Sequence, residues 1–214
     1  MNDFTVGLDL GQAQDYTAAA VVERVHPDRE RDHPFDPLPE PAKPKYHLRH
    51  AQRFELGTPY PQQVRRVEEL MQSGPLAGRC QLVVDQTGAG RPVVDLFREA
   101  GLKPVGVTIT GGAGDASRQG GQNYRVPKRQ LVSTVQALLQ TGRLKFAEGL
   151  PLAGVLTEEL QRFRAKINVG TGHASFEHWR KRDHDDVVLA LALACWHGEE
   201  NAPEDWSDAK MVWW

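Results

Sequence analysis

The sequence predicts one α/β domain in which a mixed central β-sheet carries helices on both faces, and three features of the chain indicate this. The first is a pair of short apolar segments near the N-terminus that are separated by a few polar residues, as in an antiparallel hairpin. The second is a later alternation of strand-like and helical segments, which is typical of parallel strands. The third is a late helix that is apolar on almost every side and therefore belongs at the centre of the domain.

The first third of the chain predicts three antiparallel strands and a helix. Residues 5–11 and 17–25 are joined by the short polar link QAQDY, so we expect them to pair as a hairpin. Residues 26–45 are rich in proline and charge, cannot bury a core, and predict a mobile insertion. A third strand follows over residues 46–56, and apolar side chains at helical spacing predict a helix over residues 61–72.

The rest of the chain predicts parallel strands and further helices. Apolar strands at residues 81–85 and 103–110 flank a helix at residues 92–100, and this order implies a right-handed parallel crossover. The glycine-rich segment 111–122 is expected to be a flexible loop. Three further helices are expected over residues 128–140, 152–163 and 185–197.

An antiparallel start, a parallel continuation and a late buried helix together describe the RNase H-like α/β fold. In that layout the first strand is central, the fourth lies beside it, and the last helix packs against both. We expect the domain to span residues 1–198, including the insertion at 26–45, and residues 199–214 to form an acidic tail. Trp213 and Trp214 in this tail either fold back on the domain or contact a partner.

Composition and charge are those of a soluble globular domain. The chain has 214 residues, of which 40% are hydrophobic and 25% are charged. The longest apolar stretch is too short to cross a bilayer and no secretion signal is evident, so we expect a cytoplasmic protein without a membrane partner. The formal net charge of −2 argues against nucleic-acid binding through bulk positive charge, but it is compatible with a local basic groove beside an acidic site.

Aspartates occur at three places where apolar segments begin or end. Asp9 lies within VGLDLG, Asp85 ends LVVD, and Asp185 and Asp186 begin DDVVLALALACW. A buried ionised carboxylate is costly unless it is paired or bound to a cation. If the fold brings these positions together, the acids form a divalent metal site, and two ions in such a site can hydrolyse a phosphodiester. The sequence therefore predicts a metal-dependent nuclease.

Each acid also has an ordinary structural interpretation. Asp9 could end a strand and hydrogen-bond into the hairpin, and Asp85 could form a turn with Thr87. Asp185 and Asp186 could stabilise the helix N-terminus through the helix dipole. Adjacent helical residues point about 100° apart, so one of the two could do this while the other binds metal. The order of the three signals along the chain favours the metal site.

Basic residues lie close to the acids in the sequence. His184 directly precedes the paired aspartates and is a candidate ligand of a second ion or a residue that orients water. Two basic clusters are candidate contacts to DNA phosphates, and the other interpretation of both is a solvated charged face. The clusters are Arg125, Lys128 and Arg129, and Arg180, Lys181 and Arg182.

This ordered set of motifs resembles the nuclease domain of the large terminase subunit of tailed phages and prophages. The resemblance covers most of the chain and runs through VGLDLGQAQDYTAAAVV, LVVDQTGAGRPVVDLF, KPVGVTIT, YRVPKRQLVSTVQALLQTGRLKF and GHASFEHWRKRDHDDVVLALALACW. It implies an RNase H-like endonuclease that cuts viral DNA into packaged units with two Mg²⁺ or Mn²⁺ ions. By this match Asp9, Asp85 and Asp186 are the catalytic metal ligands, with Asp185 or His184 supplementary.

One feature departs from the family pattern. A full-length large terminase begins with a packaging ATPase, whereas this chain starts near the first nuclease strand and has no GxxxxGK[ST] motif. It is therefore expected to be either an excised domain or a separate nuclease polypeptide. Its expected partners are double-stranded DNA and a separate packaging ATPase, small terminase or portal protein in the bacterial host.

Three other functions are compatible with the sequence. A Holliday-junction resolvase or a ribonuclease H would share the fold and the acids. An actin-like ATP-binding domain is suggested by DLG and DQTGAG, which faintly resemble its phosphate loops. The third alternative is a non-catalytic module of a packaging complex, against which the intact acids argue.

Overall fold

The computed structural model of the protein describes residues 3–11, 15–26, 42–88, 90–112, 114–169 and 185–201. Most of the predicted insertion at residues 26–45 and nearly all of the predicted tail lie outside these ranges. None of the helices within them is long and apolar enough to cross a membrane.

The strands form one mixed sheet. In the described ranges they are β1 (Phe4–Asp9), β2 (Ala18–Val25), β3 (Lys45–Arg53), β4 (Cys80–Asp85), β5 (Val105–Thr110), β6 (Ser117–Gly120), β7 (Asn123–Pro127) and β8 (Leu144–Phe146). Their order across the sheet is β6-β7-β5-β4-β1-β2-β3-β8. β1, β2 and β3 are antiparallel neighbours, and β4, β5 and β7 continue the sheet from β1 in parallel. This confirms the predicted RNase H-like sheet, with β1 central and β4 beside it.

The sequence patterns do not predict the short strands at the two edges of the sheet. β6 pairs antiparallel with β7, so the prediction of a flexible loop over residues 111–122 is wrong for residues 117–120. All residues of β6 are exposed, so it has no apolar alternation, and backbone pairing with β7 holds it instead. β8 pairs parallel with β3 and has only three residues, too few to show a periodicity.

Helices cover both faces of the sheet, as predicted. In the described ranges they are α1 (Tyr60–Gln72), α2 (Gly90–Glu99), α3 (Lys128–Gln140), α4 (Ala153–Val169) and α5 (Asp186–Glu200). α1 and α2 pack on one face, where Val67 and Phe97 share a core with Leu8 of β1. α3, α4 and α5 pack on the other face, around a core that includes Val83 of β4.

Helix α5 is buried along most of its length and lies directly on β1 and β2. Its almost uniformly apolar sequence predicts this central position. The helix approaches β1 so closely that a Cβ atom at Gly7 would lie 1.9 Å from the carbonyl oxygen of Ala190. Gly7, in the segment VGLDLG, therefore allows the start of α5 to lie next to the end of β1.

Candidate active site

Two of the predicted acids lie at the ends of adjacent parallel strands. Asp9 ends β1 and Asp85 ends β4, and the pairing of Leu8 with Val84 places the two aspartates side by side. Leu8 and Val84 pack into the core beneath α1 and α2. Because successive strand residues point to opposite faces of a sheet, Asp9 and Asp85 point towards the face that carries α5.

The start of α5 brings two more acids to the same place. Asp185 is the N-cap residue of α5 and Asp186 is its first residue. Burial, followed by the negative charges of Asp85, Asp185 and Asp186, raises the pKa of Asp9 well above its usual range, while Lys128 opposes the shift. In the part of the chain that the structure describes, no donor hydrogen-bonds to the Asp9 carboxylate. The acids thus surround a region with excess negative charge.

Two residues outside the predicted site, Arg53 and Glu159, belong to a network of ion pairs and hydrogen bonds around Asp186. Arg53, the last residue of β3, donates from Nε to Asp186 Oδ2 at 2.6 Å and from Nη2 to Asp186 Oδ1 at 3.1 Å. The same Nη2 lies 2.5 Å from Oε1 of Glu159 in α4, and Glu159 Oε2 accepts a 2.8 Å hydrogen bond from the backbone N–H of Val188. The Arg53 guanidinium also lies over the Tyr16 ring, 4.9 Å from its centroid. Asp186 and Glu159 are both buried, so Arg53 contacts two carboxyl groups that water barely reaches.

Lys128 is a counter-ion of the acidic cluster. Its Nζ lies 2.9 Å from Asp185 Oδ2, and the two side chains are only 14% and 19% exposed. The lysine reaches this position because α3 begins directly after β7, close to the start of α5. Contact of Lys128 with a DNA phosphate remains a prediction, and in this structure its ammonium group contacts Asp185.

Asp85 takes part in the turn that its sequence context suggests. Its Oδ1 accepts a 2.7 Å hydrogen bond from the backbone N–H of Thr87 and another from the Thr87 hydroxyl. The Thr87 hydroxyl oxygen in turn accepts a 2.8 Å hydrogen bond from the backbone N–H of Ile109, which connects the turn to β5. The turn orients the carboxylate at the end of β4, and this is compatible with metal binding because a carboxylate has two acceptor oxygens.

The aspartates neighbour one another without forming a closed metal site. Among the described residues, no three histidine, cysteine, aspartate or glutamate side chains lie close enough together to hold one ion. The ion pairs with Arg53 and Lys128 direct Asp186 and Asp185 towards cations of the chain itself. The nearby acids supply carboxylate oxygens, which Mg²⁺ and Mn²⁺ prefer. The carboxylate oxygens of the cluster therefore fit a hard divalent cation. To bind it, Asp186 would have to release Arg53 and Asp185 would have to release Lys128.

The other predicted site residues are distributed around this cluster or lie beyond the described ranges. Arg125 is exposed on β7, and Arg129, in the first turn of α3, donates to the carbonyl oxygen of Gly114 at 3.2 Å. Four predicted site residues fall outside the described ranges: His184, Arg180, Lys181 and Arg182.

The sequence carried a signal for Glu159 but none for Arg53. Glu159 follows Leu156 by three positions and directly precedes Leu160, so it lies on the apolar side of the predicted helix. An acid at such a position needs a buried partner. Arg53 has no local pattern that marks it, since an arginine at the end of a strand is an ordinary surface residue.

The sheet order and the carboxylates at the ends of β1 and β4 define an RNase H-like domain. The family model described as "Terminase RNaseH-like domain" matches residues 43–197. This match covers most of the sequence, and the chain belongs to the terminase RNaseH-like domain family. No curated protein sequence matches the chain.

Solved structures with a similar fold come from viral terminases. The chain is similar to the large terminase nuclease from thermophilic phage G20c, with 19% identity and a TM-score of 0.51 over 89% of this chain and 80% of that chain. It is also similar to the same nuclease with bound zinc, with 19% identity and a TM-score of 0.50 over 89% and 78% of the two chains. The human cytomegalovirus terminase nuclease domain, soaked with Mn, gives 11% identity and a TM-score of 0.43 over 89% and 80%. At these identities, the likeness to the phage nuclease shows the fold.

The Glu159 carboxyl leads to a prediction about pH. Burial raises the pKa of Glu159 from 4.5 to about 7, although the hydrogen bond from Val188 and the charge of Arg53 act in the opposite direction. The folded protein therefore binds this proton more tightly than the unfolded chain, so the contribution of Glu159 to stability falls as the pH rises from 4.5 to about 7. The variant Glu159→Gln has no such group, so its free energy of unfolding should increase relative to that of the wild type across this interval.

Urea denaturation of both proteins at several pH values between about 4 and 8 measures this difference. Glu158→Gln is the matched control, because Glu158 is the preceding helical residue and its side chain is 67% exposed. Parallel stability profiles for Glu159→Gln and the wild type would contradict the assigned pKa.

Proposed function

We propose that this chain is a divalent-metal-dependent DNA endonuclease of the terminase type, which hydrolyses phosphodiester bonds of duplex DNA during viral DNA processing and packaging. The observation that carries the proposal is the position of Asp9. Its carboxylate ends the central strand beside three other acids, and no donor in the described ranges hydrogen-bonds to it. A bound cation relieves this type of mutual repulsion. Membership of the terminase RNaseH-like domain family supports the same conclusion.

Asp9, Asp85 and Asp186 are the proposed ligands, with Asp185 and His184 as supplementary ligands. Their carboxylate oxygens suit two Mg²⁺ or Mn²⁺ ions. The structure of the large terminase nuclease from phage G20c with bound zinc supports the use of a divalent metal in this fold. When bound, two such ions activate a water molecule and stabilise the leaving oxygen of a phosphodiester.

Arg53 and Lys128 have a role of their own in this proposal. Each neutralises one carboxylate at the start of α5, Asp186 and Asp185 respectively. Without these partners, the acids would repel one another and the start of the helix would move away from the end of β1. The two basic residues thus keep Asp185 and Asp186 close to the end of β1 before a metal binds.

Duplex DNA is the proposed substrate, and basic residues around the acids are proposed to contact its phosphates. Contacts of this kind position the backbone and carry no sequence information, so we expect little sequence preference. The proposed contact residues are Arg125, Lys128, Arg129, Arg180, Lys181 and Arg182. In the host cytoplasm the nuclease would act with a packaging ATPase, a small terminase or a portal protein.

The function is tested by incubating the purified protein with supercoiled plasmid DNA. We expect nicked and then linear plasmid with Mn²⁺ or Mg²⁺, and no product with EDTA, because in the proposed reaction the metal ions generate the nucleophile and stabilise the leaving oxygen. Gel electrophoresis measures the products over time. Cleavage that is equally fast in EDTA would contradict the proposal.

A panel of substrates separates the alternative functions. Plain duplex DNA should be cut at least as fast as a four-way junction or an RNA:DNA hybrid of the same length. Strong preference for the junction would indicate a resolvase, and preference for the hybrid would indicate a ribonuclease H. Saturable ATP binding measured by calorimetry would favour the actin-like alternative, and inactivity on all substrates would favour a non-catalytic module.

A further inference from the structure

A polar pocket of about 480 Å³ lies beside the candidate active site, between α2 and the β6–β7 hairpin. Three arginines from two different elements line it: Arg91 and Arg98 from α2 and Arg125 from β7. Only Arg125 belongs to the clusters that the sequence suggests as DNA contacts. The pocket is therefore a feature that the tertiary structure creates.

The floor of the pocket consists of packed amide and hydroxyl groups. Gln86 is 7% exposed, and its Nε2 donates a 3.2 Å hydrogen bond to the hydroxyl of Thr108. Gly106 makes room for this arrangement, because a Cβ atom there would lie 2.5 Å from Gln86 Oε1 and 2.7 Å from Asn123 Oδ1. The floor is thus held by contacts between β4, β5 and β7, and it does not depend on flexible surface side chains.

The three arginines around the pocket differ in whether an acid pairs with them. Arg98 pairs with Asp95, which also lines the pocket, at 2.7 Å. Arg91 and Arg125 are exposed, and no acid in the described ranges pairs with either of them. The pocket therefore offers two guanidinium groups that form no ion pair with the described residues, in a protein whose net charge is −2.

The location of the pocket connects it with the acids. Gln86 directly follows Asp85, and successive residues of an extended chain point to opposite faces of a sheet. The pocket therefore lies on the α2 face and the carboxylates lie on the α5 face, while both adjoin the carboxyl end of β4. A duplex that crosses this end of the sheet with one phosphodiester at the acids would present other backbone phosphates to the α2 face.

We propose that this arginine pocket binds a backbone phosphate of the DNA duplex, away from the bond that is cut. The guanidinium group has the planar fork of donors that matches phosphate oxygens, and arginine is favoured where a phosphate is recognised in this way. The inference rests on the proposed function, since it takes duplex DNA as the ligand. The pocket is a positioning site and does not contact the reacting atoms.

The double variant Arg91→Gln and Arg125→Gln tests the proposal. Binding of a fluorescein-labelled duplex is measured by anisotropy in EDTA, where no cleavage occurs, at several KCl concentrations. We expect affinity to fall by about tenfold or more, because the variant loses the charge-assisted hydrogen bonds that both guanidinium groups donate to phosphate oxygens. The slope of log K against log salt should decrease by about 0.9 for each phosphate that the variant no longer neutralises.

The matched control is the double variant Arg65→Gln and Arg66→Gln, which removes two exposed arginines of α1 that do not line the pocket. It loses the same charge and should bind DNA nearly as the wild type does. A second variant, Arg91→Lys and Arg125→Lys, keeps the charge without the fork, so it should retain the salt slope and lose part of the affinity. Equal affinity and slope for the pocket variant and the α1 control would overturn the proposal.

Cleavage is measured separately, so that the two proposals can fail independently. If the wild type does not cut plasmid in Mn²⁺ but the pocket variant loses DNA affinity, the proposed nuclease function is wrong and the phosphate site stands. If the wild type cuts plasmid and the pocket variant binds DNA as the α1 control does, the nuclease function stands and the phosphate site is wrong.

Discussion

Replacement of Asp9 by asparagine is expected to reduce Mn²⁺-dependent plasmid cleavage by more than about 100-fold. Mutation of a residue that only hydrogen-bonds to a metal ligand already lowers metal affinity or activity by about 10–100-fold. Asparagine keeps the shape of the side chain and removes the negative charge at the centre of the acidic cluster. The loss of repulsion from Asp85, Asp185 and Asp186 should leave the melting temperature in EDTA unchanged or raised. A loss of activity with intact stability would assign Asp9 to the chemistry.

Metal binding itself provides a second measurement for the same variant. Mn²⁺ should raise the melting temperature of the wild type, because a ligand that binds only the folded state stabilises it. Asp9→Asn should show a much smaller increase. The control Asp115→Asn removes an exposed acid and should behave as the wild type in both assays. Full cleavage by a well-folded Asp9→Asn protein would show that Asp9 is not a ligand of the proposed metal site.

Replacement of Arg53 by alanine is expected to lower the free energy of unfolding by about 3–5 kcal/mol, the usual effect of removing one partner of a buried ion pair. The Arg53 side chain is 19% exposed, and its partners Glu159 and Asp186 are 2% and 7% exposed. Asp186 would lose its counter-ion, and the pKa of Glu159, which the charge of Arg53 lowers, would rise further, so Glu159 would have to bind a proton. Urea denaturation and Mn²⁺-dependent cleavage should therefore both be affected.

A matched control for Arg53 lies on the same strand. Arg49 pairs with Glu23 at 2.6 Å, but its side chain is 47% exposed. Arg49→Ala should therefore lower the free energy of unfolding by less than about 1 kcal/mol. Adding Glu159→Gln to Arg53→Ala should recover part of the lost stability, because it removes a buried carboxyl group that has lost its counter-ion and would have to bind a proton. If Arg53→Ala is no more destabilising than Arg49→Ala, the ion-pair network does not hold the site together.

Local patterns predicted the elements that form the centre of the fold. The hairpin of β1 and β2, the strand β4 and the helix α5 are apolar segments with clear boundaries, and each is found close to its predicted range. The edge strands β6 and β8 have no such signal, because pairing with a neighbouring strand, and not burial of alternate side chains, determines them. Edge pairing depends on the position of the neighbouring strand, which a local pattern does not contain.

The acids of the candidate site could be located from the amino-acid sequence, because Asp9, Asp85 and Asp186 each interrupt or border an apolar segment. An ionised acid that is buried with such a segment is costly unless it is paired or binds a cation. The residues that pair with these acids are identified only by the folded structure. Arg53 and Glu159 lie 133 and 27 positions from Asp186 along the chain, and they meet at the start of α5 because β3 and α4 end up beside it. Electrostatic interactions depend on distance in space, so the partners of a buried charge become known only when the chain is folded.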